Sequence, residues 1–232
     1  NPAPMHGGGM AITIDSGLLR LLQLSSPALP VGGYAFSQGI EYAVDTGWLT
    51  DRDSTTDWLR QQLAFSLGRV DVPLLLRQHR ASLSGDRHSL NYNNALALAC
   101  RETAELRLTD TAMGQALARL LGDLEMTLPA VEGEQSFVTI FAYAAAQWGI
   151  DEDSACRGYL WSWLENQTAA ATKLVPLGQT AAQQLISLLQ ADLEACLKAA
   201  KTLEDIDIGG SLPALALASC RHESQYSRLF RS

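Results

Sequence analysis

Apolar residues recur at helical spacing along most of the chain. In the most regular stretch, residues 179–203, one face carries Ala182, Leu185, Ile186, Leu189, Leu193, Cys196, Leu197 and Ala200. Spacings of three and four residues are those of an amphipathic α-helix. No stretch shows the sustained apolar–polar alternation of a half-buried β-strand. The pattern predicts an all-α fold, a single globular domain of roughly eight to ten helices.

Glycine, proline and capping residues predict where helices begin and end. Gly85 follows one helical segment, and Pro73 is placed to start or kink another. We predict one helix over residues 92–108 and a second helix capped by Thr109 and Asp110. Four charged side chains near the end of the first of these helices are expected to face water: Arg101, Glu102, Glu105 and Arg107.

Changes in composition divide the chain into three parts. Residues 1–15 are predicted to be a flexible N-terminal lead, and residues 16–205 the helical domain. Residues 206–232 form a C-terminal tail in which apolar and arginine residues are mixed. Ordering a chain costs about 1–2 kcal/mol of backbone entropy per residue, so such a tail stays mobile unless its apolar groups dock. Two alternatives stay open: the tail orders on a partner, or it docks on the body of the protein.

Residues 21–41 interrupt the helical pattern with an unusual composition. Pro27, Pro30 and the pair Gly32 and Gly33 stand among apolar and aromatic residues, whereas an ordinary surface loop is polar. Proline fixes φ, and glycine allows a sharp turn. We therefore predict a rigid, partly buried connection, with a role either in topology alone or in function.

Composition and charge narrow the classes of partner. With 232 residues and 47% hydrophobic content, the chain has enough apolar material for a large core. The formal net charge is −8. Nucleic acids and anionic membranes are also negatively charged, so we expect no nucleic acid and no membrane as partner.

The cysteines predict a reducing compartment. Cys100, Cys156, Cys196 and Cys220 lie in helical or apolar surroundings and form no CxxC pair. This is typical of reduced, buried thiols. No stretch has the length of a transmembrane helix, and the N-terminus lacks the order of a signal peptide. We predict a cytoplasmic protein.

The sequence lacks local motifs for catalysis, nucleotide binding and metal binding. It contains no GxxxxGK[ST] loop and no GxSxG elbow. His79 and His88 are nine positions apart, which is not the spacing of a helical metal site, so we predict no metal cage and no cofactor. His222 and Glu223 precede Ser224, but adjacent helical residues do not face each other, which argues against an enzyme.

Two lone charges stand among apolar or small neighbours. They are Glu41 and Lys173. A buried charge costs several kcal/mol unless it is paired. We therefore expect both side chains to reach solvent.

Three segments of the chain carry a resemblance to a known family. Residues 18–49, 174–185 and 221–232 read, in this order, LLRLLQLSSPALPVGGYAFSQGIEYAVDTGWL, LVPLGQTAAQQL and RHESQYSRLFRS. They resemble the N-terminal motif, the central Pro-Leu-Gly-Gln motif and the C-terminal ending of the UreF family of urease accessory proteins. Since the segments lie at both ends and in the middle, the resemblance covers essentially the whole chain.

The resemblance implies an all-helical protein that forms a two-fold dimer and is not an enzyme. It also implies an adaptor that bridges UreD, called UreH in some organisms, to the nickel-carrying GTPase UreG. Such an adaptor couples GTP hydrolysis to the insertion of nickel into the urease apoprotein. The alternative is a direct nickel metallochaperone, in which His222 would be a metal ligand.

The resemblance further implies three groups of partner-binding residues. The N-terminal motif contributes Tyr34, Ser37, Gln38, Gly39 and Glu41. On or near the dimer and GTPase-facing surface would lie Lys173, Pro176, Leu177, Gly178 and Gln179. The tail that orders on UreD would contribute Arg221, His222, Glu223, Tyr226, Arg228, Leu229 and Phe230.

Overall fold

The computed structural model describes residues 16–232 and contains no β-strand among them. The α-helices, in chain order, are α1 Ser16–Leu24, α2 Ile40–Asp45, α3 Arg52–Gln62, α4 Val72–Ser84, α5 Arg87–Ala99, α6 Ala104–Asp123, α7 Phe137–Gln147, α8 Glu152–Leu174, α9 Gln179–Lys201 and α10 Pro213–His222. A π-helix, Leu63–Asp71, joins α3 to α4, and 3-10 turns lie at Gly33–Ala35 and Asp205–Asp207. The predicted all-α single domain is confirmed. The predicted lead, residues 1–15, lies outside the described residues.

Helix α7 lies at the centre of the core. Its sequence, FVTIFAYAAAQ, is almost wholly apolar, and nearly every residue from Phe137 to Ala146 is buried. A helix that is apolar on all sides is stable only when other elements surround it. Helices α4, α6 and α8 pack against α7, together with α1 and α5. The alanines of α7 allow these neighbours to approach closely.

Helices α8 and α9 pack side by side, and α9 has the face that the sequence predicts. Its buried residues are Ala182, Leu185, Ile186, Leu189, Leu193, Cys196, Leu197 and Ala200. This face contacts α8, α3, α4 and the π-helix. The prediction for α9 is therefore confirmed residue by residue, with the helix ending at Lys201.

The π-helix makes α3 and α4 one continuous helical run. Pro73, predicted to start or kink a helix, stands in the first turn of α4, directly after the π-helix. Proline has no N–H to donate into a helical ladder, so a change of hydrogen-bond register is readily placed beside it. A Cβ on Gly68 would lie 2.9 Å from the carbonyl oxygen of Leu63 and 3.2 Å from Cys196 Sγ. Glycine at this position therefore allows close packing on α9.

The prediction for the boundary between α5 and α6 was wrong. Helix α5 ends at Ala99, and α6 begins after Thr103, whose Oγ1 accepts a hydrogen bond from the Leu106 N–H at 3.1 Å. Thr109 and Asp110, predicted as caps, are buried inside α6. Asp110 accepts the Phe137 N–H at the start of α7, at 2.9 Å, so this carboxylate caps a different helix from the one predicted.

None of the helices described here, between residues 16 and 232, is both long enough and apolar enough to cross a membrane.

Candidate functional site

The N-terminal motif forms a compact turn between α1 and α2. Gly32 and Gly39 have φ values of 75° and 86°, which an L side chain rarely adopts. Gln38 has a φ of 49°, and its Oε1 accepts a hydrogen bond from Trp163 Nε1 at 3.3 Å. Phe36 and Ser37 are buried. The prediction of a partly buried connection with glycine at its turns is confirmed.

The C-terminal tail docks on this turn. Helix α10 packs against α2 and α6. The Arg231 N–H donates to the carbonyl oxygen of Ala35 at 2.8 Å, and the carbonyl oxygen of Ser232 accepts the Ser37 N–H at 2.5 Å. Ser232 Oγ also lies 2.5 Å from Thr109 Oγ1 on α6. Of the two alternatives left open by the sequence, the structure has the tail docked on the body of the protein.

A buried histidine joins the tail to two glutamates. His222, with no exposed surface, places Nε2 at 2.9 Å from Glu41 Oε2 and Nδ1 at 2.9 Å from Glu105 Oε2. The expectation that Glu41 and Glu105 face water was wrong: they are 6% and 5% exposed. A buried carboxylate needs a compensating partner, and here the partner is the same imidazole ring.

Both glutamates of the His222 cluster accept further hydrogen bonds from the tail. Glu41 also accepts the N–H groups of Leu229 and Phe230, at 2.5 Å and 2.9 Å, and Glu105 Oε1 lies 3.2 Å from Arg228 Nη1. An ionised carboxylate only accepts hydrogen bonds, so each ring nitrogen of His222 faces an acceptor. Burial raises the pKa of Glu105, while the charge and hydrogen bond of His222 act in the opposite direction.

Large side chains remain exposed around the docked tail. Tyr34 is 69% exposed, Leu229 is 66% exposed and Tyr226 is fully exposed. Lys173 is exposed as predicted, and its Nζ lies 5.5 Å from the centre of the Phe230 ring. We call the set Tyr34, Lys173, Tyr226, Arg228 and Leu229 the tail surface. It combines aromatic and apolar groups with two cations.

A partly enclosed cavity of about 90 Å³ lies beneath the tail. Its wall includes Gln38 of the N-terminal motif, Leu215 of α10, and a buried ion network of Asp71, Arg101 and Asp110. A cavity of this volume has room for several waters. The N-terminal motif and α10 therefore both border a cavity whose lining is partly polar and partly apolar.

The described residues form no cluster of side chains suited to a metal ion. No group of three or more His, Cys, Asp or Glu side chains within residues 16–232 is arranged to hold a metal ion; the two glutamates of the His222 cluster lie against different ring nitrogens. Cys156 and Cys196 are buried free thiols as predicted, and burial raises the pKa of Cys196 to about 12. Cys220 is exposed and Cys100 half-buried, contrary to prediction.

Comparison with known proteins identifies the family. A family model described as UreF matches residues 49–190. A urease accessory protein UreF of Marinomonas sp. (strain MWYL1) is 54% identical over 222 residues, which cover 95% of this chain and 96% of the relative. The chain belongs to the UreF family. Proteins with the same name from Alkalilimnicola ehrlichii and Teredinibacter turnerae are 49% and 47% identical, over 92% and 94% of this chain and 95% and 100% of their own lengths.

The described hydrogen bonds and ion pairs do not connect the central motif of this UreF-family chain to the His222 cluster. Pro176, Gly178 and Gln179 are exposed at the junction of α8 and α9, and Leu177 is buried below them. Among the predicted tail residues, Arg221 and Glu223 are exposed, whereas His222 and Phe230 are buried. The structure thus brings the N-terminal motif, Lys173 and the tail together, and leaves the Pro-Leu-Gly-Gln motif at the beginning of α9.

Sequence reasoning missed three residues that hold the tail: Glu105, Thr109 and Ser232. Each makes a buried contact with a residue far away in the chain. A glutamate and a threonine four positions apart on α6 look locally like ordinary helix-surface residues. The one available signal was the run of three polar residues from Thr109 to Thr111, which interrupts the apolar pattern of α6.

Proposed function

We propose that the chain is a non-catalytic adaptor in urease maturation. In this role it bridges UreD (UreH) to the GTPase UreG and couples GTP hydrolysis to nickel insertion into the urease apoprotein. One observation carries the proposal: the N-terminal motif and the tail, with hydrogen-bonded residues 189 positions apart, meet in one place and surround their contact with exposed aromatic, apolar and cationic groups. Exposed Tyr and Leu side chains beside Arg are typical of protein interfaces.

The three motifs take different partners in this proposal. The tail surface other than Lys173, together with Arg221, contacts UreD. Lys173 and the exposed junction of α8 and α9 contact UreG or a second copy of the chain in a two-fold dimer. Pro176, Gly178 and Gln179 are exposed there, which leaves their backbone accessible to a partner. The assembly acts in the cytoplasm, where the free thiols stay reduced.

The adaptor is favoured over the direct nickel metallochaperone. A tight nickel site needs several convergent His, Cys or carboxylate ligands. Both ring nitrogens of His222, the ligand that the alternative uses, already face carboxylates. Calorimetric titration of the protein with nickel distinguishes the two functions. A tight, stoichiometric nickel site that is abolished by His222→Ala would contradict the adaptor hypothesis.

The adaptor role is tested by binding of purified UreD. We expect the double substitution Tyr226→Ala and Leu229→Ala to weaken UreD binding by about tenfold or more, because buried interface anchors each contribute about 1 kcal/mol or more. Leu188→Ala is the matched control, since Leu188 is a 53% exposed leucine on α9, away from the tail. Unchanged UreD binding by the double variant, and by a chain that lacks residues 221–232, would contradict the proposal.

A second experiment tests the role of Lys173 separately from that of the tail. Lys173→Ala is expected to change the yield of urease activation or the GTPase coupling, while the chain stays folded and still binds UreD. Activation kinetics identical to the unmodified protein would count against a role for Lys173.

A further inference from the structure

The two glutamates that flank His222 contact the tail in different ways. Glu41 accepts two backbone N–H groups of the tail directly, from Leu229 at 2.5 Å and Phe230 at 2.9 Å, in addition to His222 Nε2. The described contacts of Glu105 with the tail are made with side chains, those of His222 and of Arg228, which is 40% exposed. Backbone donors cannot turn away from a lost acceptor, whereas an exposed arginine can turn to water.

We propose that Glu41 is the anchor that holds residues 228–232 on the body of the protein, and that Glu105 is a positioning residue that orients the His222 ring. Glu41 is only 6% exposed, so it does not contact a partner directly although it lies within a partner-binding motif. It affects partner binding by holding the tail in place. This last consequence rests on the proposed function, whereas the anchoring is a property of the chain alone.

Hydrogen-bond chemistry makes the two carboxylates unequal. The Leu229 N–H points at Oε1 of Glu41, and both the Phe230 N–H and His222 Nε2 point at Oε2. A glutamine at position 41 keeps one acceptor oxygen and must present its NH₂ group to an N–H donor, which leaves buried donors unsatisfied.

Glutamine at position 105 meets no such conflict with a backbone donor, and the exposed Arg228 side chain can turn to water. His222 Nδ1 lies 2.9 Å and 3.1 Å from the two oxygens of Glu105, so a single ring N–H is shared between them. One amide oxygen is enough for that proton. The second oxygen of Glu105 is therefore dispensable for holding His222, whereas both oxygens of Glu41 accept hydrogen bonds from buried or backbone donors.

Hydrogen exchange of the full-length chain, without any partner, tests the anchor. In Glu41→Gln, we expect the amides of Leu229 and Phe230 to exchange faster by about tenfold or more, as for the loss of a hydrogen bond to a charged group. In Glu105→Gln and in the control Glu223→Gln, an exposed neighbour of His222, exchange stays within about threefold of the unmodified chain. Equal acceleration in Glu41→Gln and Glu105→Gln, or none in Glu41→Gln, would overturn the proposal.

A second variant covers the case in which Glu41→Gln does not fold. Leu229→Pro deletes one donor to Glu41 at a residue that is 66% exposed, so little packing is lost. We expect faster exchange at Phe230 and at Ser37, with unchanged exchange in α9. Unchanged protection of Phe230 and Ser37 in this variant also overturns the anchor. Normal UreD binding by the tail-surface variants, with the Glu41 and Glu105 results as expected, would contradict only the proposed function.

Discussion

At the scale of single residues, Arg101 joins parts of the chain that are distant in sequence. Its Nη1 and Nη2 lie 3.2 Å and 2.7 Å from the two oxygens of Asp71, and its Nε lies 3.1 Å from Asp110 Oδ2. Tyr159 donates its hydroxyl proton to the same Asp71 at 3.0 Å. One guanidinium therefore connects the end of the π-helix to α6, and Asp110 extends the network to the first residue of α7, Phe137.

Removal of Arg101 is expected to destabilise the protein strongly. Arg101→Met leaves Asp71 and Asp110, each 5% exposed at the side chain, without their counter-ion, and we expect a loss of about 3–5 kcal/mol in the free energy of unfolding. Arg157→Met is the control, because the Arg157–Glu194 pair is 47% and 57% exposed and such pairs contribute at most about 1 kcal/mol. Urea denaturation measures the free energy of unfolding of both variants. A similarly small decrease in the two would show that the Arg101 network does not stabilise the fold.

The same residues show why charges were harder to predict than helices. Arg101 and Glu105 were both expected to face water, but Glu105 is buried and the side chain of Arg101 is only 13% exposed. Glu105 finds His222 117 positions away, and Arg101 finds Asp71 30 positions away. Local periodicity contains no information about such partners. It does show which residues are apolar, and for that reason the buried face of α9 was predicted completely.

At the scale of helices, α6 contains two glycines in different surroundings. A Cβ on Gly114 would lie 2.2 Å from the carbonyl oxygen of Gln135 and 3.0 Å from the Phe137 backbone nitrogen. Gly114 therefore allows the connection into α7 to cross α6 at close range. A Cβ on Gly122 would meet nothing within 4 Å.

Alanine at these two positions is expected to have opposite effects. Gly114→Ala forces backbone atoms apart and should lower the free energy of unfolding by about 1–3 kcal/mol, as overpacking does. Gly122→Ala should raise it by about 0.5–1 kcal/mol, because alanine loses less conformational entropy than glycine in a helix. Thermal or urea unfolding of the two variants measures the sign of each change in the free energy of unfolding. If both substitutions stabilise the protein, the segment before α7 moves away from the added methyl group of Gly114→Ala without loss of stability.

The elements that the sequence did not predict have causes beyond local propensity. The π-helix differs from an α-helix only in hydrogen-bond register, and its residues LAFSLGRVD have no composition that signals that register. The break at residues 100–103 contains neither Gly nor Pro. It is held by tertiary contacts, including the hydrogen bond of Thr103 Oγ1 with Ser219 Oγ of α10 at 2.7 Å.

At the scale of the whole molecule, ion pairs between helices link stability to pH. Arg80 of α4 donates to both oxygens of Glu152 at the start of α8, at 2.7 Å and 2.9 Å. Arg60 of α3 pairs with Asp192 of α9, and Lys201 of α9 pairs with Asp153 of α8. Each pair joins α8 or α9 to another helix, and the Arg80–Glu152 pair weakens when the Glu152 carboxylate takes up a proton.

The Arg80–Glu152 pair gives a pH dependence with a definite sign. The hydrogen bond from Arg80 lowers the pKa of Glu152 below its ordinary value of 4.5. A carboxyl whose pKa is lower in the folded state stabilises the fold above its unfolded pKa, and this contribution disappears as the pH falls through the folded pKa. The side chains are 61% and 33% exposed, so we expect Glu152→Gln to cost only about 0.5–1 kcal/mol near neutral pH.

The difference in the free energy of unfolding between the unmodified protein and Glu152→Gln should therefore shrink towards zero as the pH falls through the folded-state pKa of Glu152. Urea denaturation at several pH values measures it, with Glu204→Gln, an exposed glutamate after α9, as a control for the loss of one negative charge. Glu152 also lies at the N-terminus of α8, where the helix dipole favours a negative charge. Repeating the comparison in an Arg80→Met background separates the two causes: the cost of Glu152→Gln falls there if the ion pair is responsible, and persists in full if the helix dipole is.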